Sequence, residues 1–456
     1  MAGLGADAPD PAATGAIREA VRLGEFERAA TLAADLLSEA TGQPVTACTI
    51  NRDIYSLNSV NGFAELGDGT AIFFKFHQEE GEEAGVAEYY NARVLREAGY
   101  DVDLPIAASH RPGRQVLAYR RRHARRLSDV CSGLERRNDD ADDALLHRVI
   151  AAQQRADTRA AAIARETLLW ASAADIAREP IHQLFHRRVV DDGAPGLPGG
   201  RARRFYVDGR FDFAGPPGKW SGSWSGDWRA IRDLTWRING TDYPITLTEA
   251  FGAVQRRLDP AALGPGPAVT AHGDAHNANV WFEEGAEDRL VLFDPAFAGL
   301  HLPALLAEVK ATFHNALAHP FWLYEPDEAA RRYQATVTVA DGVISVETDW
   351  TPGPLRDAFL ESKARRFWRP LLGELAARGW LAADWEATVR AALFACPTLV
   401  MDLTAGGRPG HNSSGHNSSG HNRTSSAIGF AVAIMCACPP ESGSDPVSRF
   451  LDLCRP

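Results

Sequence analysis

The chain has 456 residues, 45% of them hydrophobic and 23% charged, the composition of a globular protein too long for one hydrophobic core. Its formal net charge of −11 and sequence pI of about 5.7 argue against a nucleic-acid partner, which wants the opposite balance. There is no apolar run of bilayer length and no secretory signal, and the six scattered cysteines match neither a disulfide scaffold nor a paired zinc motif; the expectation is a cytoplasmic protein with mostly buried thiols and no membrane partner.

Residues 11 to 40 carry Ala- and Leu-rich faces and read as one or two amphipathic helices, so 1–43 is expected to form an N-terminal helical segment. Val45 to Ile54 has the β-branched character of a first strand. The small polar stretch Asn58-Ser59-Val60-Asn61-Gly62 suits a loop lying over phosphates. Two apolar runs then flank Gly67-Asp68-Gly69, a hairpin signal. Lys75 stands inside the second run, where an unpaired ammonium is costly, so it calls for anions such as nucleotide phosphates and a helix carboxylate. The alternative is an edge-strand charge that guards against aggregation. The acidic start of the next helix offers Glu82, Glu83 and Glu88.

Gln115 to Tyr119 is a further apolar strand with the place of a hinge for adenine, and the basic run Arg120 to Arg126 reads as a solvated face. Asp139 to Ala177 has few breakers and favours long helices. Residues 191 to 226 collect Gly, Pro and Ser around Trp220, Trp224 and Trp228, a long loop whose tryptophans are expected to anchor it to the core.

His272-Gly273-Asp274-Ala275-His276-Asn277-Ala278-Asn279 comes next. Val280 to Phe282, the turn Glu283-Glu284-Gly285 and Leu290 to Phe293 follow as a β-hairpin that ends at Asp294. Asp274, Asn279 and Asp294 would converge at one end of that hairpin. Mg²⁺ prefers hard oxygen ligands, which Asn279 and Asp294 supply, while Asp274 has the chemistry to accept the proton of an attacking hydroxyl. Each residue alone is equally consistent with a polar turn, but the ordered string is not.

The string resembles the catalytic loop of the aminoglycoside phosphotransferase and choline kinase family, H-G-D-x-H-x-x-N followed by a hydrophobic hairpin and an Asp. The continuation Asp294-Pro295-Ala296-Phe297-Ala298-Gly299 is also similar to that family's metal-binding segment. The resemblance implies Asp274 as catalytic base, Asn279 and Asp294 as Mg²⁺ ligands, His276 as an orienting residue, and ATP as phosphoryl donor. It also implies Glu88 as the partner of Lys75, like the lysine–glutamate pair of kinase-like folds. Relatives carry another Asp soon after the Gly; here the nearest acid is Glu308.

Helices are expected over 305–317, 327–335 and 355–403, with a hairpin across Asp341-Gly342. Gly410-His411-Asn412-Ser413-Ser414 recurs twice, at His416 and, as Gly420-His421-Asn422-Arg423-Thr424, at His421, and reads as a flexible expanded loop without a defined metal site. The expected fold is α+β and two-lobed, protein-kinase-like: a small β-rich ATP-binding N-lobe over 44–120 and a large, mostly helical C-lobe over 121–456. The expected activity is transfer of the ATP γ-phosphate, with Mg²⁺, to a hydroxyl of an aminoglycoside, amino sugar, sugar or similar small alcohol. The acidic chain suits a cationic acceptor, whose pocket is expected near Asp349, Glu361 or Asp402. Two other readings stand beside it: a catalytically silent kinase-like binding protein, and a metal-dependent hydrolase using His272, Asp274, His276 and Asp294 as ligands.

Overall fold

A computed structural model describes residues 13–51, 59–77, 83–137, 143–190, 198–215, 223–406 and 420–456. It is a mixed structure: a five-stranded antiparallel sheet near the N-terminus leads into a mainly helical remainder with four smaller sheets among the described residues. The large sheet runs in the order β1 (Val45–Ile50), β2 (Ser59–Leu66), β3 (Ala71–His77), β5 (Val116–Arg120), β4 (Pro105–Ser109).

Strand alternation sends successive side chains to opposite faces, and here the two faces differ in kind. Val60, Ala64, Ile72, Phe74 and Phe76 are buried in one core with Ile17 of α1 (Ala13–Arg22) and Ala33, Leu36 and Leu37 of α2 (Phe26–Thr41). The N-terminal helices are therefore part of the sheet's own core. The other face holds Asn61 in register with Lys75, and Phe63 with Phe73, whose rings lie 5.8 Å apart. At the β2–β3 turn Gly69 takes a φ of 82° and Asp68 accepts the Thr70 N–H at 2.8 Å, as an Asp-Gly turn should.

Helix α3 (Glu83–Ala98) follows the lysine strand. Its Ala92 and Leu95 are buried in one cluster with Val102 and Ala298, and its Asn91 donates to the Pro295 carbonyl at 3.3 Å. The helix thus braces the segment just after Asp294. Beyond β5 the chain enters β6 (Arg125–Arg126), which pairs with the strand Val280–Glu283. The basic run is only partly a solvated face: Arg122 binds Asp103 at 2.9 Å and also Glu283, Arg125 reaches Glu284 at 3.2 Å, and Arg121 lies 4.4 Å from the Phe63 ring centre.

The breaker-poor stretch forms α4 (Leu127–Arg136) and the 25-residue α5 (Asp143–Thr167), the latter starting just beyond residues that are not described. Trp220 lies outside the described residues, but Trp228 is buried and Trp224 stacks on Phe213 at 6.0 Å, so both anchor their segment. Asp341 and Gly342 take φ values of 51° and 82°, the pair of left-handed residues that a two-residue hairpin demands.

The repeat departs from expectation. Its first two copies, with His411 and His416, lie outside the described residues. The third does not hang free: His421 is 2% exposed, and Asn422 caps the helix Arg423–Ala437 by accepting the Ser425 N–H at 2.9 Å. Cys131, Cys396, Cys436 and Cys454 are buried free thiols, as expected. Among the described residues no helix is long and apolar enough to cross a membrane.

Candidate active site

The site begins at the end of the buried strand Gly266–Ala271. Gly273 takes a φ of 74°, and a Cβ there would lie 2.6 Å from the Phe297 carbonyl oxygen, so both conformation and space demand glycine. Before it, His272 donates from Nε2 to the Phe293 carbonyl at 3.0 Å and accepts the Asp274 N–H at Nδ1, 3.3 Å away. A carbonyl can only accept, so the tautomer is set and both ring nitrogens are engaged. His272 is therefore a staple. The Phe293 N–H donates in turn to the Asn279 carbonyl at 3.0 Å, and the Phe293 ring stacks on Trp281 at 4.4 Å. The residue before Asp294 is thus held from both sides by the string that carries Asp274 and Asn279.

Within the loop, the His276 N–H and the Asn279 side-chain amide both donate to the Asp274 carbonyl, at 2.8 and 3.1 Å. With its nitrogen so used, buried Asn279 has its side-chain oxygen left to meet a cation. Asp274 Oδ2 lies 3.9 Å from His276 Nε2, while Oδ1 is buried with no hydrogen-bond partner among the described residues. An orphaned buried acceptor costs about 1–3 kcal/mol, so such an atom is kept where a ligand will supply the donor. Burial pushes the His276 imidazole below its usual range despite the opposing pull of Asp274, which keeps it neutral near pH 7.

Asp294 ends the hairpin with a φ of 57°, a left-handed conformation that short polar side chains tolerate. Lys75 Nζ lies 3.1 Å from Asp294 Oδ1, the two side chains being 16% and 43% exposed. Lys75 is thus no bare edge charge; it reaches a residue 219 positions away. Asn61 sits directly across the sheet from it. Glu88 lies on α3 and Ser59 begins β2, but their side chains are not described, and Asn58 falls outside the described residues.

Several groups that build the site were not legible beforehand. Asn315 accepts the Asn277 N–H at 2.7 Å and donates to the Ala275 carbonyl at 3.2 Å, gripping the loop on either side of His276. Its own carbonyl accepts from Arg356 at 2.7 Å, and fully buried Arg356 is bidentate to Glu135 at 2.5 and 2.8 Å. The one advance signal was a polar Asn inside an apolar helical stretch. Glu308 lies away from Gly299, paired with buried Lys363, which also binds Asp157 at 2.8 Å. The acid beside Gly299 is Glu179, which accepts the His301 N–H at 2.8 Å and whose carboxylate a Cβ at Gly299 would strike.

The three acids suggested for an acceptor pocket are spent locally. Asp349 accepts the Gln334 N–H at 2.8 Å, exposed Glu361 pairs with Arg365 at 2.8 Å, and buried Asp402 accepts the Thr404 hydroxyl at 2.6 Å. Among the described residues no group of three or more His, Cys, Asp or Glu side chains is placed to hold a metal, and His272 has no free nitrogen, which disfavours the hydrolase ligand set.

No family model and no curated protein sequence matches the chain. Solved structures do. A macrolide 2′-phosphotransferase from Brachybacterium faecium is 14% identical with a TM-score of 0.34, over 80% of this chain and 97% of its own. A type I macrolide 2′-phosphotransferase is 12% identical with a TM-score of 0.36, over 80% and 95%. A glucosamine kinase is 14% identical with a TM-score of 0.32, over 77% of this chain and 87% of its own.

Proposed function

We propose that this chain is an ATP-dependent small-molecule kinase of two-lobed, protein-kinase-like architecture, with the five-stranded sheet as nucleotide lobe and the helical remainder as catalytic lobe. The observation that carries the reading is the Asp274 carboxylate, whose buried Oδ1 has no donor, tied through Phe293 to Asp294, which Lys75 meets from the sheet. A hydrolase ligand set would not need a lysine there, and a polar turn would not leave a buried carboxylate oxygen unsatisfied.

In the reaction, ATP and an alcohol give a phosphate ester and ADP. Asp274 orients the acceptor hydroxyl and takes its proton as the oxygen bonds to the γ-phosphorus. The bond to the bridging oxygen breaks, and its electron pair leaves with ADP. Asn279 and Asp294 are the residues that would hold Mg²⁺, which when bound neutralises phosphate charge. Lys75 and Asn61, paired across β2 and β3, would hold the nucleotide phosphates, with Asn58, Ser59 and Glu88 kept as nucleotide-binding candidates on the sequence alone. Catalysis is then mostly positioning and charge neutralisation. The acceptor is a sugar or similar small alcohol.

The test is ADP release from ATP and Mg²⁺ with a panel of sugars, amino sugars, aminoglycosides and sugar acids. Asp274→Asn should lower turnover by about 10²-fold or more while ADP still binds. Nucleotide binding without turnover would identify a silent binding protein. A transition metal retained through dialysis, with no nucleotide affinity, would identify a hydrolase.

A further inference from the structure

The acidic net charge favours a cationic acceptor, but the groups gathered around Asp274 have the opposite sign. Lys310, in the short helix Val309–Thr312, is 3% exposed; its Nζ lies 2.8 Å from His314 Nε2 and meets no carboxylate among the described residues. The His314 ring in turn lies tilted, 6.0 Å from the His276 ring, whose Nε2 faces Asp274. Half-buried Arg188 and Arg201 come from two segments locked together by backbone. The Gly199 N–H donates to the Val189 carbonyl at 2.8 Å, and Gly200, at a φ of 52°, approaches so closely that a Cβ would lie 2.8 Å from the Arg188 carbonyl oxygen. Arg201 donates to the Leu399 carbonyl at 3.3 Å, and neither arginine forms an ion pair among the described residues.

These charges feel one another. Burial first, and then the charge of Arg201, brings Arg188 down to about 10; burial lowers Lys310 as well, with both arginines adding to it. The carboxylate that opposes this, for Arg188 and for Lys310, is Asp274. Arg188 and Lys310 share that one carboxylate and Arg201 adds its charge beside them; basic groups in such excess in a partly dehydrated place are costly unless an anion joins them. The planar guanidinium fork is suited to carboxylate and phosphate oxygens.

We infer that the acceptor is an anionic alcohol, whose carboxylate or phosphate is held by Arg188, Arg201 and Lys310 while its hydroxyl meets Asp274. The inference rests on the kinase reading and replaces the cationic acceptor that net charge suggests.

Matched acceptors separate the possibilities: glucosamine, glucose, gluconate and glucose 6-phosphate, each assayed for ADP release with ATP and Mg²⁺. The expected result is higher kcat/KM for one of the two anions than for glucose or glucosamine, gluconate and glucose 6-phosphate distinguishing a carboxylate from a phosphate. Arg188→Gln and Lys310→Met should each raise KM for that anion by about 10- to 100-fold, the range of a charge-assisted hydrogen bond, with KM for ATP little changed and Arg188→Lys restoring part of the loss. Faster turnover of glucosamine, or variants that raise KM for ATP instead, would overturn it. If no acceptor turns over, calorimetric titration of both anions into the protein with ADP and Mg²⁺ decides. ADP binding without anion binding refutes the anionic acceptor alone; no ADP binding refutes the kinase reading beneath it.

Discussion

Asn315 touches no reacting atom, yet the geometry makes turnover depend on it. Asn315→Leu keeps most of the side-chain volume and removes both grips on the loop, leaving the Asn277 N–H and the Ala275 carbonyl without their partner. Asn277 is 2% exposed, so water does not readily replace the lost acceptor. An orphaned buried group costs about 1–3 kcal/mol, which falls in full on the Asn277 N–H and in part on the half-buried Ala275 carbonyl. The loop relieves that cost by swinging away from the helix, and Asp274 lies one residue from Ala275 and three from Asn277. If about 3 kcal/mol is spent in restoring the reactive geometry, kcat falls by about 100-fold.

Steady-state ADP release measures this, with thermal unfolding in parallel. The expected result is a large loss in kcat and little change in KM for ATP, because Lys75, proposed to hold the nucleotide phosphates, comes from the five-stranded sheet and not from this loop. Asn315→Asp keeps an acceptor for the Asn277 N–H and loses the donor to Ala275, so it should fall between leucine and wild type. A leucine variant that melts lower but turns over normally well below its Tm would show that Asn315 is only a core residue, and the reasoning would fail.

Gly273→Ala forces a Cβ to within 2.6 Å of the Phe297 carbonyl oxygen at a φ of 74°, costing about 1–3 kcal/mol; both Tm and turnover should drop, and wild-type kcat would contradict the reading. Lys75→Met should barely change the stability of the free protein, since its partner Asp294 is substantially exposed, but should abolish most of the Tm rise produced by ADP and Mg²⁺. Glu135→Gln strips buried Arg356 of its counter-charge and should cost about 3–5 kcal/mol in a urea melt; a loss below about 1 kcal/mol would mean the pair is dispensable. His421 is lowered by burial from 6.5 to about 4, so below pH 6.5 the unfolded chain takes up a proton that the native chain refuses. Stability should therefore rise with pH from about 4 to 6.5, by about 3 kcal/mol for this residue, and His421→Gln should flatten that slope in urea melts at pH 4.5 and 7.5.

The parts of the site that could be read in advance are those written in consecutive residues. Gly67-Asp68-Gly69 and Asp341-Gly342 carry their turn geometry locally, and the string from His272 to Asp294 carries the loop, the hairpin and the exit acid in one ordered run. Lys75 was legible as an ammonium in need of anions, with an edge-strand charge as the alternative, and its central strand between β2 and β5 removes that alternative. What stayed hidden depends on packing between distant segments. Nothing local marks Asp294 as the lysine's partner 219 residues away, nor Asn315 as the clasp of a loop 38 residues before it. The acidic residues Asp349, Glu361 and Asp402 attracted notice by charge alone, and each proved to have a neighbour to satisfy. The third repeat copy misled for a related reason: Gly, His and Asn describe a loose loop until the next helix needs a cap, and Asn422 supplies it.

Charge sorts the site into two unlike ends. Lys75 and Asp294 neutralise one another at the end proposed to take the nucleotide. On that proposal a metal–phosphate pair would add both signs together and leave the balance near neutral. Arg188, Arg201 and Lys310 form no such ion pair among the described residues. A cationic acceptor would add to that positive surplus, whereas an anionic acceptor would cancel it. The arrangement around one aspartate thus bears on both the reaction and the sign of the substrate, whereas the net charge of −11 bears on neither, because it is summed over surfaces the substrate never meets.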